Sequence, residues 1–264
     1  MAVWIPRGVR GDTAWALFQR CHRYLKNALH SEKKIRLCCE TNDFHAVAPG
    51  GAGVMLTVEG GSVLGGKLEQ VASLHACGVR AMTLTWNDNN ELGGGSDGET
   101  PSGITPFGKS VVKEMERLGI AVDVSHASDQ LFEDVCGCAQ KSFFVSHSNA
   151  RKICGRRRNL TDAQFNEIVR RGGVVGLNLY PAFLTGSQNA SFDDIYRHLD
   201  HFWSLGGERT VALGSDFDGA QMPSCLKGIE DYICFYEYLL GKNIKERWID
   251  QLFFDNAYRF FTGL

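Results

Sequence analysis

The chain has 264 residues, of which 44% are hydrophobic, and its formal net charge at pH 7 is −2. This length and apolar content suffice for a sizeable core. A single domain spanning residues 1–264 is expected, because α/β barrels often reach this size undivided. The near-neutral charge excludes the strong positive field that binding to nucleic acid or anionic lipid requires. No apolar run approaches the roughly 20 residues that cross a bilayer.

The N-terminal sequence and the cysteines favour a cytoplasmic protein. The opening MAVWIPRGVRGD has no basic segment followed by an apolar one, so no secretory signal is predicted. The nine cysteines form no C-x-x-C pair, so neither a zinc ribbon nor a thioredoxin-like site is indicated. Reduced thiols in the cytoplasm are the simplest interpretation.

Short apolar or β-branched runs alternate with helical patterns along the chain. In the helical segments, apolar residues recur three or four positions apart, as on the buried face of an amphipathic helix. The seven predicted strands are Ala2–Pro6, Val54–Gly60, Ala81–Trp86, Ile120–His126, Phe143–His147, Val174–Tyr180 and Thr210–Asp216. The five predicted helices are Thr13–His30, Pro106–Leu118, Ser128–Ala139, Thr161–Arg171 and Ser191–Leu205.

Apolar strands that alternate with helices predict a parallel sheet covered on both faces. A doubly wound sheet and a (β/α)8 barrel both fit this order. The barrel needs eight strands, and Met1 runs almost directly into the first of seven, so a first strand is expected to be missing from the N-terminus. Helix starts are indicated at Thr105, Ser128 and Thr161, and helix ends at Gly119 and Gly172.

The glycine-rich segment Glu91–Gly103 raises the alternative of a dinucleotide site. Its sequence ELGGGSDGETPSG contains Gly93-x-Gly95-x-x-Gly98, which nominally matches the fingerprint. That motif should open a helix directly after a strand, but here Pro101 and several turn residues intervene. A surface loop is therefore the favoured interpretation.

Polar residues stand at the ends of several predicted strands. In parallel α/β folds, ligands bind at the carboxyl ends of the strands. The strand-end candidates are Glu59, Trp86, Asn87, His126, His147, Asp216 and Asp218. One Glu, two His and one or two Asp make a metal-ligand set that suits zinc. Histidines that end adjacent strands, about 4.8 Å apart, can reach one ion.

Each candidate has a structural alternative. A single His at a strand end is more often a hydrogen-bonded structural residue, and Asp216 or Asp218 in GSDFDG could belong to a turn. Two strands that end alike in Ser-His, together with Glu59, favour the metal site.

His198 and Asp200 lie two positions apart in a predicted helix, so they cannot share one ion and are expected on its solvated face.

The segment CGRRRNLTD places three arginines after the second Ser-His strand. A solvated basic turn is the simpler interpretation, and a bidentate clamp on a substrate carboxylate is the alternative. A serine or cysteine hydrolase is disfavoured, because no G-x-S-x-G elbow occurs and Ser125 and Ser146 lie inside predicted strands.

Six segments, taken in chain order, resemble a known family. They are VEGG, GVRAMTLTWN, GITPFGKSVVKEMERLGIAVDVSH, VSHSNAR, RRRNLTD and LGSDFDG. They resemble the membrane dipeptidase (renal dipeptidase) family of zinc metallopeptidases, in its soluble microbial type. The resemblance implies a (β/α)8 TIM-type barrel with two zinc ions per site. It also implies that a metal-bound hydroxide hydrolyses dipeptides, including those with a C-terminal D-residue.

The resemblance also implies roles for individual residues. Glu59 matches the carboxylate that bridges the two ions, and His126 and His147 match the remaining ligands of one ion. Asp216 matches the acid/base residue that also touches the other ion. Arg158, the last of the three arginines, matches the residue that holds the substrate carboxylate. The positions that match the substrate pocket are Asn178, Tyr180, Phe183 and Trp86.

Two departures from the family pattern leave alternatives open. The family's first strand ends in His-x-Asp, which supplies two ligands to one zinc, and this chain contains no such strand. One site (Glu59, His126 and His147) is therefore expected to be complete, and the other to lack two ligands. Vertebrate-like members carry His at the position of Trp86. Another binuclear amidohydrolase and a catalytically impaired barrel stay open alternatives, and a homodimer would cover the open strand edges.

Overall fold

A computed structural model describes residues 1–98, 100 and 102–263, which form two compact units. The first unit comprises residues 1–141 with 261–263, and the second comprises residues 142–260. The strands are β1 (Ala2–Trp4), β2 (Ile35–Leu37), β3 (Ala52–Val54), β4 (Leu56–Glu59), β5 (Val79–Thr83), β6 (Ala121–Asp123), β7 (Val175–Leu177) and β8 (Val211–Leu213). The α-helices are α1 (Gly11–Ser31), α2 (Thr41–His45), α3 (Glu69–Ala76), α4 (Pro106–Leu118), α5 (Asp129–Cys138), α6 (Asp162–Arg171), α7 (Pro181–Leu184), α8 (Phe192–Ser204), α9 (Tyr232–Gly241), α10 (Glu246–Asp250) and α11 (Asn256–Thr262). The segments Gly61–Leu64, Gly207–Arg209 and Ile229–Asp231 are short 3-10 turns, and Gln251–Asp255 is a π-helical turn.

The first unit contains a parallel sheet in the order β1-β4-β5-β6. Its register places Trp4 beside Glu59, Glu59 beside Thr83, and Thr83 beside Asp123. The carboxyl ends of the four strands therefore form one row, and Glu59 stands in that row. The prediction of a parallel sheet is confirmed, because all three strand pairs in this sheet are parallel.

The second unit contains the parallel pair β7-β8, with Val175 beside Val211. The predicted strand Phe143–His147 is reduced to an isolated parallel bridge between Val145 and Val175. One further backbone hydrogen bond joins this segment to β7: Ser148 N donates to Gly176 O at 2.7 Å. The position of the strand was predicted correctly, but its length was not.

All five predicted helices form, with ends within two residues of the predicted bounds. The hydroxyl groups of Thr105, Ser128 and Thr161 accept hydrogen bonds from backbone N–H groups of the first turns of α4, α5 and α6. Gly119 and Gly172 end α4 and α6 in the left-handed conformation, with φ of 76° and 70°. The β2-β3 pair, α3 and the helices after Ile229 were not predicted, because their apolar residues follow no sustained period.

The glycine-rich segment is a loop and opens no helix, as predicted, since α4 begins only at Pro106. Its placement on the surface was wrong, because residues 92–96 are buried. The reason is close packing: a Cβ at Gly95 would lie 2.3 Å from Asn87 O, so only glycine fits there. Glu99 and Pro101 lie outside the described residues.

An apolar groove of about 740 Å³ lies beside β1 in the first unit. Exposed Met1, Trp4, Tyr24 and Ile35 are among the residues that line it. Among the described residues β1 pairs with β4 alone, so its outer edge offers main-chain groups for pairing. No helix in the described part of the chain combines the length and the apolar character that crossing a bilayer requires.

Candidate metal centre and substrate site

Two predicted metal ligands meet in the first unit. Glu59 ends β4, and His126 is the third residue after the end of β6. The His126 Nε2 atom lies 2.9 Å from Glu59 Oε1, and both side chains are largely buried. The parallel register of β4, β5 and β6 brings these groups together from positions 67 residues apart in the sequence.

The imidazole of His126 is held in one orientation. Its Nδ1 atom lies 2.7 Å from Asn87 Oδ1, and its backbone oxygen accepts from Ser96 N at 2.7 Å and from Thr85 Oγ1 at 3.3 Å. The φ of His126 is 65°, which costs a non-glycine residue roughly 1 kcal/mol or more. This strained backbone is retained because the surrounding hydrogen bonds over-determine it, as is typical of functional sites.

The chemistry of these groups fits a divalent metal. In the neutral tautomer in which Asn87 Oδ1 accepts from Nδ1–H, the lone pair of His126 Nε2 faces the Glu59 carboxylate. Two acceptors at 2.9 Å repel one another unless a proton or a cation lies between them. Imidazole and carboxylate are ligands that zinc favours, and the contact to Asn87 is the kind of outer partner that orients a metal-binding histidine.

Asp123, at the end of β6, is a supporting residue that the sequence analysis missed. It is buried, with 2% exposure, and accepts from Thr83 Oγ1 at 2.6 Å and from Ser125 N at 2.9 Å. These bonds tie the turn that leads to His126 to the neighbouring strand. The available signal was an acid in the middle of the apolar run VDVSH, where a charge needs partners.

Trp86 lies beside the histidine in the first unit. Its ring centroid is 6.2 Å from that of His126 and 5.2 Å from that of Trp4, against which it packs edge-on. Trp86 is half-buried, so the indole adds an apolar wall to the imidazole and the carboxylate. Its predicted role in substrate binding stays a prediction.

In the second unit, the segment that carries His147 is tied to Arg158. The hydroxyl group of Ser146 contacts His147 Nδ1 at 2.7 Å, and Arg158 Nη2 donates to His147 O at 3.2 Å. Ser148 Oγ donates in turn to Arg158 O at 2.6 Å. His147 is 9% exposed and Arg158 is 7% exposed, so both are buried polar residues with specified partners.

The structure distinguishes the three arginines of CGRRRNLTD. Arg156 and Arg157 are exposed, as a solvated basic turn predicts, whereas Arg158 is buried. The Arg158 guanidinium lies 5.5 Å from the centroid of the Phe183 ring. The basic-turn interpretation is therefore wrong for Arg158, because its backbone and side chain are both fastened to the segment after Val145.

Asn178 and Asp216 meet at the ends of β7 and β8. Asn178 Nδ2 donates to Asp216 Oδ2 at 3.4 Å, and Asn178 Oδ1 accepts from Tyr180 N at 2.6 Å. The φ of Asp216 is 63°, and a Cβ at Gly219 would lie 2.3 Å from Asp216 Oδ1. The turn in GSDFDG thus makes room for this carboxylate, while Asp218 is exposed.

A buried amide network beneath these residues was also missed by the sequence analysis. Asn149 Nδ2 donates to Asn178 O at 3.0 Å, and Asn149 Oδ1 accepts from Asn178 N at 3.0 Å. Asn159 Nδ2 donates to Cys154 O and to Phe183 O, each at 2.8 Å. Side-chain amides therefore replace strand pairing where the chain leaves the sheet, and no sequence spacing indicates this.

His198 was predicted on the solvated face of its helix, and this prediction was wrong. It is fully buried in α8, whereas Asp200 is exposed. His198 Nδ1 accepts from Ala150 N at 3.1 Å, and Nε2 donates to Leu184 O at 2.8 Å. The buried face of α8 therefore includes His198. The imidazole is tolerated there because two backbone groups of neighbouring segments satisfy its ring nitrogens.

The burial of His198 makes stability depend on pH. Burial lowers the pKa of His198 to about 4, below the value of 6.5 in an unfolded chain. The unfolded chain then binds the extra proton, so the stabilisation is complete above pH 6.5 and declines as the pH falls towards 4. This linkage amounts to on the order of 3 kcal/mol.

We expect the His198→Gln variant to lose less unfolding free energy than the wild type between pH 7 and pH 4.5. Urea denaturation at both pH values measures it, with the exposed His30→Gln as the matched control. His22 and His75, whose pKa values are also lowered by burial, contribute equally to all three proteins. Equal pH dependence in the wild type and His198→Gln would contradict the prediction.

Comparison with known proteins decides the family. The family model described as membrane dipeptidase (peptidase family M19) matches residues 1–263. The chain belongs to the membrane dipeptidase family. The M19 family consists of metallopeptidases, and the chain is accordingly a hydrolase with the α/β fold of these enzymes.

Curated relatives of this M19 member lie at about 31% identity. An uncharacterised protein of Klebsiella pneumoniae is 31% identical over 262 residues, which cover 95% of this chain and 97% of that protein. Dipeptidase 3 of Macaca fascicularis is 31% identical over 214 residues, covering 78% of this chain and 44% of that protein. The chain thus spans less than half the length of this dipeptidase.

Solved structures show the same fold. A dipeptidase described as a metallopeptidase of family M19 is 25% identical with a TM-score of 0.94, covering 99% of this chain and 83% of that one. A Rhodobacter sphaeroides metallopeptidase, solved with a phosphinate mimic of L-Ala-D-Ala, is 24% identical with a TM-score of 0.92, covering 99% and 85%. The fold class is the (β/α)8 TIM-type barrel of the metal-dependent hydrolases, as predicted.

Proposed function

We propose that the chain is a zinc-dependent dipeptidase that also accepts dipeptides with a C-terminal D-residue. The observation that carries the proposal is the pairing of His126 Nε2 with Glu59 Oε1 at 2.9 Å, with Asn87 holding the other ring nitrogen. An imidazole and a carboxylate in this arrangement, in a member of a metallopeptidase family, are best explained as ligands of one ion.

In this proposal Glu59, His126 and His147 would hold one zinc, and Glu59 and Asp216 would contact a second zinc. His147 suits the role because, when Ser146 Oγ accepts from Nδ1–H, the lone pair of Nε2 is left to coordinate the metal. The metal supplies, when bound, Lewis-acid chemistry: it lowers the pKa of water and polarises a carbonyl group. Zinc is preferred to manganese or iron on the family resemblance, because imidazole and carboxylate suit all three.

Asp216 is proposed to move the proton of the reaction. Its carboxylate is half-buried, and Asn178 Nδ2 donates to Oδ2, which orients the group without neutralising it. In peptide hydrolysis the attacking water loses a proton and the leaving amine gains one. A carboxylate held in one place can accept the first proton and deliver it to the amine nitrogen.

Arg158 is proposed to bind the free carboxylate of the dipeptide. The guanidinium is buried and stacks near the Phe183 ring, and burial strengthens its pairing with an anion. Phe183 and Tyr180, whose ring centroids lie 5.0 Å apart, are proposed to line the pocket with Asn178 and Trp86. A fixed cation at one end explains why only short peptides would fit. The cytoplasmic location and the homodimer also stay predictions.

The Arg158→Ala variant tests the substrate assignment. We expect KM for a dipeptide with a C-terminal D-residue to rise about 100-fold, because a buried charge-assisted pair is lost. The same dipeptide with its carboxylate amidated should be a poor substrate for the wild type and should be little affected by the substitution. Steady-state kinetics with both substrates measures this.

The matched control is Arg157→Ala, which removes an exposed arginine from the same turn. Its kinetics should equal those of the wild type. An unchanged KM for the dipeptide in Arg158→Ala would contradict the dipeptidase proposal and favour another amidohydrolase, which needs no clamp for a free carboxylate.

A further inference from the structure

In the described part of the chain, the His198 imidazole forms hydrogen bonds to two different segments of the second unit. On one side Nδ1 accepts from Ala150 N, three residues after His147. On the other side Nε2 donates to Leu184 O, the residue directly after Phe183. The side chain is fully buried, so neither bond competes with water.

The Ala150 side of this arrangement leads to Arg158 as well as to His147. Ala150 forms a parallel bridge with Leu160, in which Leu160 N donates to Asn149 O at 2.8 Å and Arg151 N donates to Leu160 O at 2.8 Å. The loop between these two residues carries Arg158. A displacement of Ala150 would therefore move both the loop that carries Arg158 and the chain that follows His147.

The Leu184 side leads to the proposed pocket. Leu184 is the last residue of α7, which has four residues. A helix this short is not stable through its own backbone hydrogen bonds and needs tertiary contacts. Its N–H donates to Tyr180 O at 3.2 Å, and its carbonyl accepts from His198. The imidazole thus anchors the turn that carries Tyr180 and Phe183.

We propose that His198 is a positioning residue that sets the spacing between the His147–Arg158 segment and the Tyr180–Phe183 turn. This inference rests on the proposed function and adds a residue that touches neither metal nor substrate. A neutral imidazole suits the role because it is an acceptor at Nδ1 and a donor at Nε2 at a fixed separation. Lysine or arginine has no acceptor, and a carboxylate has no donor.

Two conservative variants separate the two bonds. In His198→Asn the amide oxygen occupies the position of Nδ1, so it can accept from Ala150 N, but the side chain is too short to reach Leu184 O. In His198→Gln the amide nitrogen reaches the position of Nε2 and can donate to Leu184 O, but the acceptor for Ala150 N is lost. His198→Phe fills the same space and loses both bonds.

Hydrogen exchange tests the positioning without any activity. We expect the Ala150 amide to exchange at least about tenfold faster in His198→Gln than in the wild type, and to stay protected in His198→Asn. The Leu184 and Thr185 amides, which close α7, should show the reverse pattern. The exposed His30→Gln should leave both regions unchanged.

Zinc titration and kinetics then connect position to function. We expect His198→Gln to bind zinc about tenfold more weakly, measured by competition with a chelating dye. His198→Asn should raise KM for the dipeptide about tenfold with kcat nearly unchanged. His198→Phe should combine both defects. A residue with only a structural role would give the two amide variants the same pattern.

The outcomes distinguish this inference from the proposed function. If the wild type binds zinc but hydrolyses no dipeptide, the exchange and zinc measurements still decide the role of His198. If both amide variants show the same exchange and kinetic changes in proportion to their loss of thermal stability, or show none, the inference is overturned.

Discussion

Replacing His126 with Asn is expected to abolish peptidase activity and to remove bound zinc. Asparagine tolerates the left-handed conformation, with φ of 65°, that this position requires, so the fold should be retained. Its side chain ends at the δ position, however, and cannot place a donor atom where His126 Nε2 faces Glu59 Oε1. We expect kcat/KM to fall by about 1,000-fold or more, because a lost metal ligand removes the activation of water.

Metal analysis by mass spectrometry, alongside turnover of a dipeptide with a C-terminal D-residue, measures this effect. Asn87→Ala should have a smaller effect, because it removes only the partner of His126 Nδ1. We expect it to lower kcat/KM about 10- to 100-fold. His30→Ala, which changes an exposed histidine of α1, is the matched control. Unchanged zinc content in His126→Asn would show that this histidine is not a ligand.

Replacing Asp216 with Asn should have the next largest effect. The substitution keeps the shape of the side chain, tolerates the φ of 63° and preserves an oxygen that can accept from Asn178 Nδ2. It removes the ability to take up and release a proton. We expect kcat to fall about 100- to 10,000-fold, with KM little changed and at least one zinc retained.

Asp218→Asn is a matched control within the same turn. Asp218 has a φ of 65°, close to that of Asp216, but it is exposed. Kinetics and thermal unfolding of both variants separate catalysis from the turn conformation. Equal losses of activity in the two variants would favour the interpretation of these acids as turn residues.

Much of the secondary structure was predictable because local sequence decides it. The caps at Thr105, Ser128 and Thr161 act through hydrogen bonds to backbone atoms three residues away, and Gly119 and Gly172 relieve strain at their own positions. The alternation of buried strands with helices was equally local, and it predicted the parallel sheets. Glu59, His126 and Asp216 were predicted as site residues because they stand at or just after the ends of these strands.

Tertiary contacts decided which polar residues are buried. The three arginines Arg156, Arg157 and Arg158 are chemically identical and consecutive, yet only Arg158 is buried, because Ser148 and the backbone of His147 hold it. The family resemblance had assigned Arg158, but the charge pattern alone favoured a solvated turn. Long-range hydrogen bonds of this kind leave no periodic signal in the sequence.

His198 shows the same division most clearly. The spacing of His198 and Asp200 correctly excluded a shared ion, since they face different sides of α8. It could not show that Ala150 N and Leu184 O, 48 and 14 residues away, would satisfy a buried imidazole. The sequence by itself determined the elements, their caps and the ligand types at the strand ends, because those depend on neighbouring residues. Only the tertiary structure decided which of these groups meet, because that depends on partners distant in the chain.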